Sequence, residues 1–514
     1  MIRILRSSPI LPAALLIGFC ANLLFYGKPL GLSLPLFVLL FVVLLFYIGR
    51  RSAVDPVQRN LWILAPLLFF AAMVAIRDNP ILTALNVLAV AALISYLILH
   101  YAAGRVGDTG LMPAVLLPLF ATGKSLLTAV PIMKETLAAP RRFRHNRAGL
   151  LAVTRGALLA APLLFVFTIL LFLADSIFAD QITHLLSPAN IRHLFSLYSQ
   201  ALFILAISWM ATGGFALAME NKDHAAGLNG LFAPLRRFHF LGFTESLTIL
   251  TLVNLLFCSF VIIQFRYLFG GLANIDIDGY TYAQYARRGF FELLLVALLS
   301  LGLVLGIEAF TWRDSKQQFK LFNLQAGLLI GLVIIMLISA FQRMRLYEAA
   351  YGYTELRLYI YLFMIWLALF LIWFLIGLFR RPDRFALGAQ FLVIAFLVAL
   401  NLINPDAFIV RQNIARYQAG GDLDVPYLES LSADAVPALV NATRATKNNQ
   451  GSFPCHSMTN GDFSEICDTE LAQILQTGLQ ERFLRYQDDS ERAPWQSTNL
   501  SRWSAHQVLA DWFP

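Results

Sequence analysis

Long apolar runs separated by short loops dominate this chain, and they leave few folds open to it. Leu30–Ile48, Ile81–Ala103, Ala201–Met219, Phe290–Phe310, Leu321–Phe341 and Tyr361–Phe379 are examples. Each can cross a hydrocarbon layer of about 30 Å as a helix, since every helical residue adds about 1.5 Å. A helix also satisfies its own backbone N–H and C=O groups, which lipid cannot do. The expectation is an all-α, polytopic transmembrane helical bundle. Composition agrees: 14% of the 514 residues are charged, against about 25% in soluble domains.

The spans read as 11–26, 30–48, 61–76, 81–103, 150–174, 201–219, 245–268, 290–311, 321–341, 359–379 and 385–404, eleven in all. Residues 1–110 form a four-span segment, 150–404 a seven-span core and 405–514 a tail. Between the first two, residues 111–149 hold Pro113, Pro118, Pro131, Lys124 and Lys134. These interruptions point to an interfacial or re-entrant helix pair, followed by the basic cluster Arg141-Arg142-Phe143-Arg144-His145-Asn146-Arg147. Such a cluster pins a loop near anionic headgroups or forms a site for an anionic lipid or partner. Arg3 and Arg6 precede an apolar stretch of signal-peptide length. No small-x-small site follows it, and Phe19 before Cys20 does not fit a lipoprotein cysteine, so this segment reads as an uncleaved span.

A cytoplasmic N-terminus places 21 Lys/Arg residues in cytoplasmic loops and nine on the opposite side. Cytoplasmic loops are enriched in Lys and Arg, so this orientation is expected. The odd span count then puts the tail on the extracytoplasmic face. The tail has eight basic and 14 acidic residues and carries −6, so the rest of the chain carries +14. No basic stripe with interleaved aromatics appears, which argues against nucleic acid. The partner this composition implies is membrane lipid.

The tail repeats apolar residues at helical spacing: Leu471, Ile474, Leu475, Leu479 and Phe483, with Asp468 or Thr469 as cap. A last helix is capped by Asn499 and carries Trp503, Val508 and Trp512. Another covers Ala433–Thr443, and Thr446–Gly461 reads as a loop. A small helical domain is expected, open to docking a protein partner. Cys455 and Cys467 flank the polar loop and would pair as a disulfide in an oxidising compartment. A metal pair with His456 is the alternative, although tetrahedral zinc needs four ligands. Cys20 and Cys258 lie in spans as packing residues.

Chemical signatures are sparse, and no cofactor is implied. Asn274-Ile275-Asp276-Ile277-Asp278-Gly279 opens like a calcium loop, but Tyr285 stands where a bidentate Glu is required. Walker A, dinucleotide, zinc-protease and nucleophile-elbow motifs are missing. Asn254, Gln264, Asn323, Gln325 and Asn401 lie in or near spans and are expected to join helices by hydrogen bonds.

Two loops on the tail's side are rich in Tyr, Arg and Glu: Gly279–Glu292 and Gln342–Arg357. Their tyrosines (Tyr280, Tyr282, Tyr285, Tyr347, Tyr351, Tyr353) and Tyr359 suit an interfacial belt, and their charges can pair among themselves. The alternative is a pocket at the outer leaflet. There Arg287, Arg288, Arg343, Arg345 and Arg357 would hold a phosphate or carboxylate, Tyr347 and Tyr351 would line a headgroup, and Glu292 and Glu348 would orient the arginines. Either glutamate could instead serve a transferase as general base. Thr354 before Glu355 reads as a helix N-cap.

Tyr282–Glu292, Arg343–Arg357, Asn404-Pro-Asp-Ala-Phe-Ile-Val-Arg411 and Leu428–Leu439 resemble a group of uncharacterised bacterial inner-membrane proteins, the domain of unknown function 4173, with 4153 a close relative. The resemblance covers about residues 150–440. It implies a multi-pass protein of the bacterial cytoplasmic membrane and supplies no catalytic residues. Three functions stay open: a binding or transport-like module for an anionic or lipid-linked ligand, an envelope transferase, and a structural or signalling scaffold.

Overall fold

The computed structural model describes residues 9–109, 111–138, 188–220, 241–269, 290–312, 315–380, 385–448, 457–459, 462–464, 468–492 and 494–513. Among them, ten helices are long and apolar enough to cross a membrane. The chain is an all-α polytopic bundle. Nine of the expected spans recur as α2 (Ser33–Arg51), α3 (Leu64–Ile76, entered through the 3-10 turn Gln58–Ile63), α4 (Pro80–Leu99), α6 (Pro188–Ala218), α7 (Phe243–Phe269), α8 (Phe290–Phe310), α9 (Lys316–Tyr351), α10 (Glu355–Arg380) and α11 (Phe385–Ile403). The first expected span is the shorter apolar helix α1, Ile10–Phe25. The expected span 150–174 and the cluster Arg141–Arg147 lie outside the described residues.

The tenth long helix is a correction. Residues expected to form a broken pair make one continuous helix, α5 (Leu111–Ala138), of which Pro113–Lys134 is long and apolar enough to cross. Pro113 sits in its first turn, where no helical N–H partner is lost. Pro118 and Pro131 lie inside, a placement tolerated in membrane helices when neighbouring groups satisfy the freed carbonyls.

The chain divides into two compact units. The first comprises residues 1–27, 39–56 and 119–221. Here α1 packs along α6, with Gly18 so close to Ile204 and Ser208 that a Cβ would collide. Asn22 donates to Gln200 at 3.2 Å across that seam. Phe41 stacks on Phe215 with ring centres 5.2 Å apart.

The second unit comprises residues 28–38, 57–118 and 222–514. Its centre is α9, whose Leu329, Ile330, Val333, Met336 and Ala340 are buried with Ala297 and Val304 of α8 and with Met364, Leu367 and Leu371 of α10. The polar residues expected to join helices do so. Asn254 Nδ2 donates to Gln325 Oε1 at 2.7 Å, and Asn323 Nδ2 donates to the Leu378 carbonyl at 2.7 Å. Gln264 Oε1 accepts from Ser339 and Arg343. Asn86 and Asn401 bond each other twice, at 2.9 and 2.8 Å, tying α4 to α11.

The tail is helical as expected. It contains α12 (Pro405–Gln418), α13 (Val425–Ser430), α14 (Val436–Asn448), α15 (Asp468–Arg492) and α16 (Leu500–Trp512). Asn499 caps α16, accepting from the N–H groups of Ser501 and Arg502. A separate core of Ile409, Val410, Leu428, Val436, Leu439, Leu475, Leu479 and Leu509 holds these helices together, and Leu358 of α10 enters it. Within and beside the stretch expected to be a loop, α14 runs to Asn448, and β1 (Ser457–Thr459) pairs antiparallel with β2 (Asp462–Ser464).

Candidate functional site

The tail meets the membrane helices in one polar node, centred on the tight turn Arg77-Asp78-Asn79 between α3 and α4. Asn79 is the N-cap of α4, with Pro80 at the first helical position. Its side-chain oxygen accepts from the Ile81 and Leu82 N–H groups at 3.0 and 3.1 Å, as an N-cap must. That leaves its amide nitrogen free to donate elsewhere. It gives one bond to Glu355 at 2.6 Å and one to Asp406 at 3.0 Å, so a single amide joins α4 to the starts of α10 and α12.

Each neighbour of Asn79 repeats the pattern. Arg77 donates through Nε and Nη2 to the Asn401 carbonyl at the end of α11 and lies 3.4 Å from Asp434. Asp434 also accepts from the Asp78 and Asn79 N–H groups, at 2.8 and 3.2 Å. Asp406 is fully buried and accepts from the Ser432 N–H and hydroxyl. Asp78 accepts from Ala433 and pairs with Arg502 at 2.6 Å. Asn499 donates to the Val74 and Arg77 carbonyls, and the Leu32 N–H donates to the Thr498 carbonyl. Tyr427 receives the Glu355 N–H at 2.7 Å.

Burial pushes the Asp78 carboxyl above the ordinary Asp range, with Arg502 pulling the other way. Burial likewise pushes the Tyr427 hydroxyl up to about 12, so it stays a neutral acceptor for the Glu355 N–H. Asp78, Glu355, Asp406 and Asp434 thus face an array of backbone and amide donors with two arginines. Carboxylates tolerate burial when so satisfied. The node can fix geometry, and breaking any member leaves several groups unpaired.

Helix α12 extends from this node across the ends of three membrane helices. Asn404 follows α11 directly and takes a left-handed backbone with φ of 53°, capping α12. Asn413 holds both the N–H and the carbonyl of Tyr353, and Arg416 donates to the Ala349 carbonyl at 3.0 Å. The helix therefore lies over the ends of α11, α10 and α9 in turn.

The expected outer-leaflet residues fall differently. Arg287, Arg288, Cys455, Cys467, His456 and the residues 274–285 lie outside the described residues. Arg343, Arg345, Tyr347, Glu348 and Tyr351, expected in a loop, occupy the last turns of α9. Their sequence is rich in helix formers, and the turn is delayed to Gly352, whose φ of 74° suits glycine. Arg357 stacks on Tyr347, 4.4 Å from the ring centre, and donates to the Tyr351 and Gly352 carbonyls, so it seals the turn. Arg343 bonds Gln264, while Glu348 accepts from Tyr361 at 3.3 Å. Burial, with Glu348 beside it, pushes the Tyr353 hydroxyl up to about 12. Glu292 is exposed in the first turn of α8, where the helix dipole favours a carboxylate. Arg345 is exposed.

Sequence reasoning did not pick out Asn79, Asp406, Ser432 or Asp434 as a group. Asn79-Pro80 and Asn404-Pro405 are visible cap signals. Three of the segments that carry the family resemblance (343–357, 404–411 and 428–439) converge on this node and on α12.

Fold and node define an integral, multi-pass membrane protein with a helical domain docked on the ends of its spans. The chain belongs to the family described as a domain of unknown function (DUF4153), whose model matches residues 64–442. The match is to the relative rather than to 4173, and it begins well before residue 150. No curated protein and no solved structure matches the chain.

Proposed function

We propose that this protein is a membrane-borne binding platform: the spans anchor it, and the docked helical domain is the working surface. The observation that carries this reading is the node around Asn79, which ties one domain to segments separated by hundreds of residues. A pump needs parts that move against each other. Here the helix ends are cross-linked by a dense set of buried polar bonds. The transferase reading relies on Glu292 or Glu348 as its base, and Glu348 is tied to Tyr361 while Glu292 sits on a helix end.

The platform lies at the membrane surface. Trp495, Leu500 and Trp503 are 55%, 50% and 53% exposed, within the segment that Asn499 pins to the end of α3. Exposed tryptophans beside span ends suit the water–lipid interface. The surface faces away from the cytoplasm of a bacterial cell. With α5 lying along the cytoplasmic face rather than crossing, the Lys/Arg bias toward the opposite loops and an odd number of crossings support that orientation, and Cys455 and Cys467 would then meet an oxidising compartment.

Limited proteolysis of right-side-out vesicles tests the reading. The wild-type tail is expected to be reachable from outside yet resistant, and Asp434→Ala is expected to release it. A tail cut only in inverted vesicles removes the orientation. Wild-type cleavage as fast as that of the variant removes the docked platform.

A further inference from the structure

A cleft of about 450 Å³ opens between α12 and α14. Its origin is side-chain size. Where the two helices face each other, α12 presents Ala407, Val410, Ile414 and Ala415 and α14 presents Pro437, Ala438 and Ala442, and the small side chains among them leave a gap. The rim is polar: Asn404, Gln418 and Asn441 contribute amides, and Arg411 contributes a guanidinium.

The charges in the lining are unequal. Asp434 is committed to Arg77 and to two backbone N–H groups. Arg411 is exposed and has no hydrogen-bond or ion-pair partner among the described residues. The unspent charge of the cleft is therefore one positive unit at its mouth. Depth matters as well. The cleft begins at Asn404, the residue after α11, and α12 lies across the span ends. The headgroup layer on each side of a bilayer is about 5–8 Å thick, so the Asn404 end of α12, directly after α11, sits at headgroup level.

We propose that this cleft binds the head of an anionic phospholipid. Arg411 pairs the phosphate, the three amides hydrogen-bond the headgroup and glycerol oxygens, and the alanine and proline floor receives the first methylenes. The volume falls within the range of small-molecule sites, about 300–1,000 Å³. A guanidinium beside an apolar floor matches a phosphate ester with attached hydrocarbon better than it matches a free, fully hydrated ion. The inference rests on the platform reading, because only a surface-seated domain places the cleft among headgroups.

The test is native mass spectrometry of the full-length protein in detergent, titrated with phosphatidylglycerol, phosphatidylcholine or inorganic phosphate. Phosphatidylglycerol is expected to bind preferentially. Arg411→Gln should weaken that binding roughly tenfold, the size of one charge-assisted pair, with unchanged melting temperature. Ala438→Leu, which fills the floor, should weaken the lipid alone. Equal binding of phosphatidylcholine, full competition by inorganic phosphate, or indifference to both substitutions each overturns the proposal. A parallel measurement separates this from failure of the platform: brominated lipids should quench wild-type fluorescence more than that of a W495F/W503F variant. Quenching without lipid selectivity sinks the cleft and keeps the platform, whereas no quenching difference sinks both.

Discussion

Two regions at the same end of the second unit are both built from arginine, tyrosine, asparagine and carboxylates, yet they do different work. The turn between α9 and α10 closes on itself: Arg357 bonds carbonyls five and six residues away and stacks on Tyr347. The node around Asn79 does the reverse, joining residues that lie 276 and 327 positions away through one amide. The first spends its polar groups on local closure, leaving stability insensitive to any one of them. The second places them between distant elements and buries them, so each loss strands its partners.

The sharpest way to break this contrast is Asp406→Ala. It leaves the Ser432 N–H and half of the Asn79 amide without an acceptor in a buried place, and the Ser432 hydroxyl with only Asp434 at 3.5 Å. We expect a loss of about 3–5 kcal/mol and early proteolytic release of the tail. Unfolding in detergent that shifts by less than about 1 kcal/mol would falsify the node as the fastening point.

The Asn86–Asn401 pair should come next. Asn401→Leu alone is expected to cost about 1–2 kcal/mol, near the upper range for hydrogen bonds between membrane helices. The double change with Asn86→Leu should recover part of that loss, since no polar group is then left unpaired. A double-mutant cycle with no coupling would mean that the two side chains act separately.

Acidity offers a third handle. Burial raises the Asp78 carboxyl, and burial raises Glu429 as well, so the folded state holds these protons more tightly than the unfolded chain. Their contribution is fully present below the ordinary carboxyl values near 4 and fades as pH climbs through the raised values. Melting temperatures taken from about pH 4 upward should therefore drift down more steeply in the wild type than in Asp78→Asn. An identical slope in both would show that Asp78 does not contribute to the drift.

The smallest effect belongs to the local turn. Arg357→Lys keeps the charge but loses the planar stack over Tyr347, and should cost under about 1 kcal/mol. A loss as large as that of Asp406→Ala would erase the distinction between the two regions.

Much of this architecture was readable from residue order. Nine spans follow from apolar length alone, and three tail helices follow from period and caps, including Asn499 before α16. The pairing of Asn254 with Gln325 was legible as a type of contact though not as a partner. The prolines of α5 misled, because a break inferred from Pro118 and Pro131 assumes that the freed carbonyls find no other partner. Gln342–Tyr351 misled in the other direction: polar residues past a span read as a loop, while their helix-forming side chains extend α9 by nearly three turns.

Sequence by itself determined that this chain lives in a membrane as helices, because the cost of unsatisfied backbone in lipid is paid locally, residue by residue, within each run. It could not determine that Asn79, Glu355, Asp406 and Asp434 share one place. That depends on which helix ends lie side by side, a property of packing between elements far apart in the chain, and a cap residue looks the same in sequence whether its spare amide meets water or two buried carboxylates.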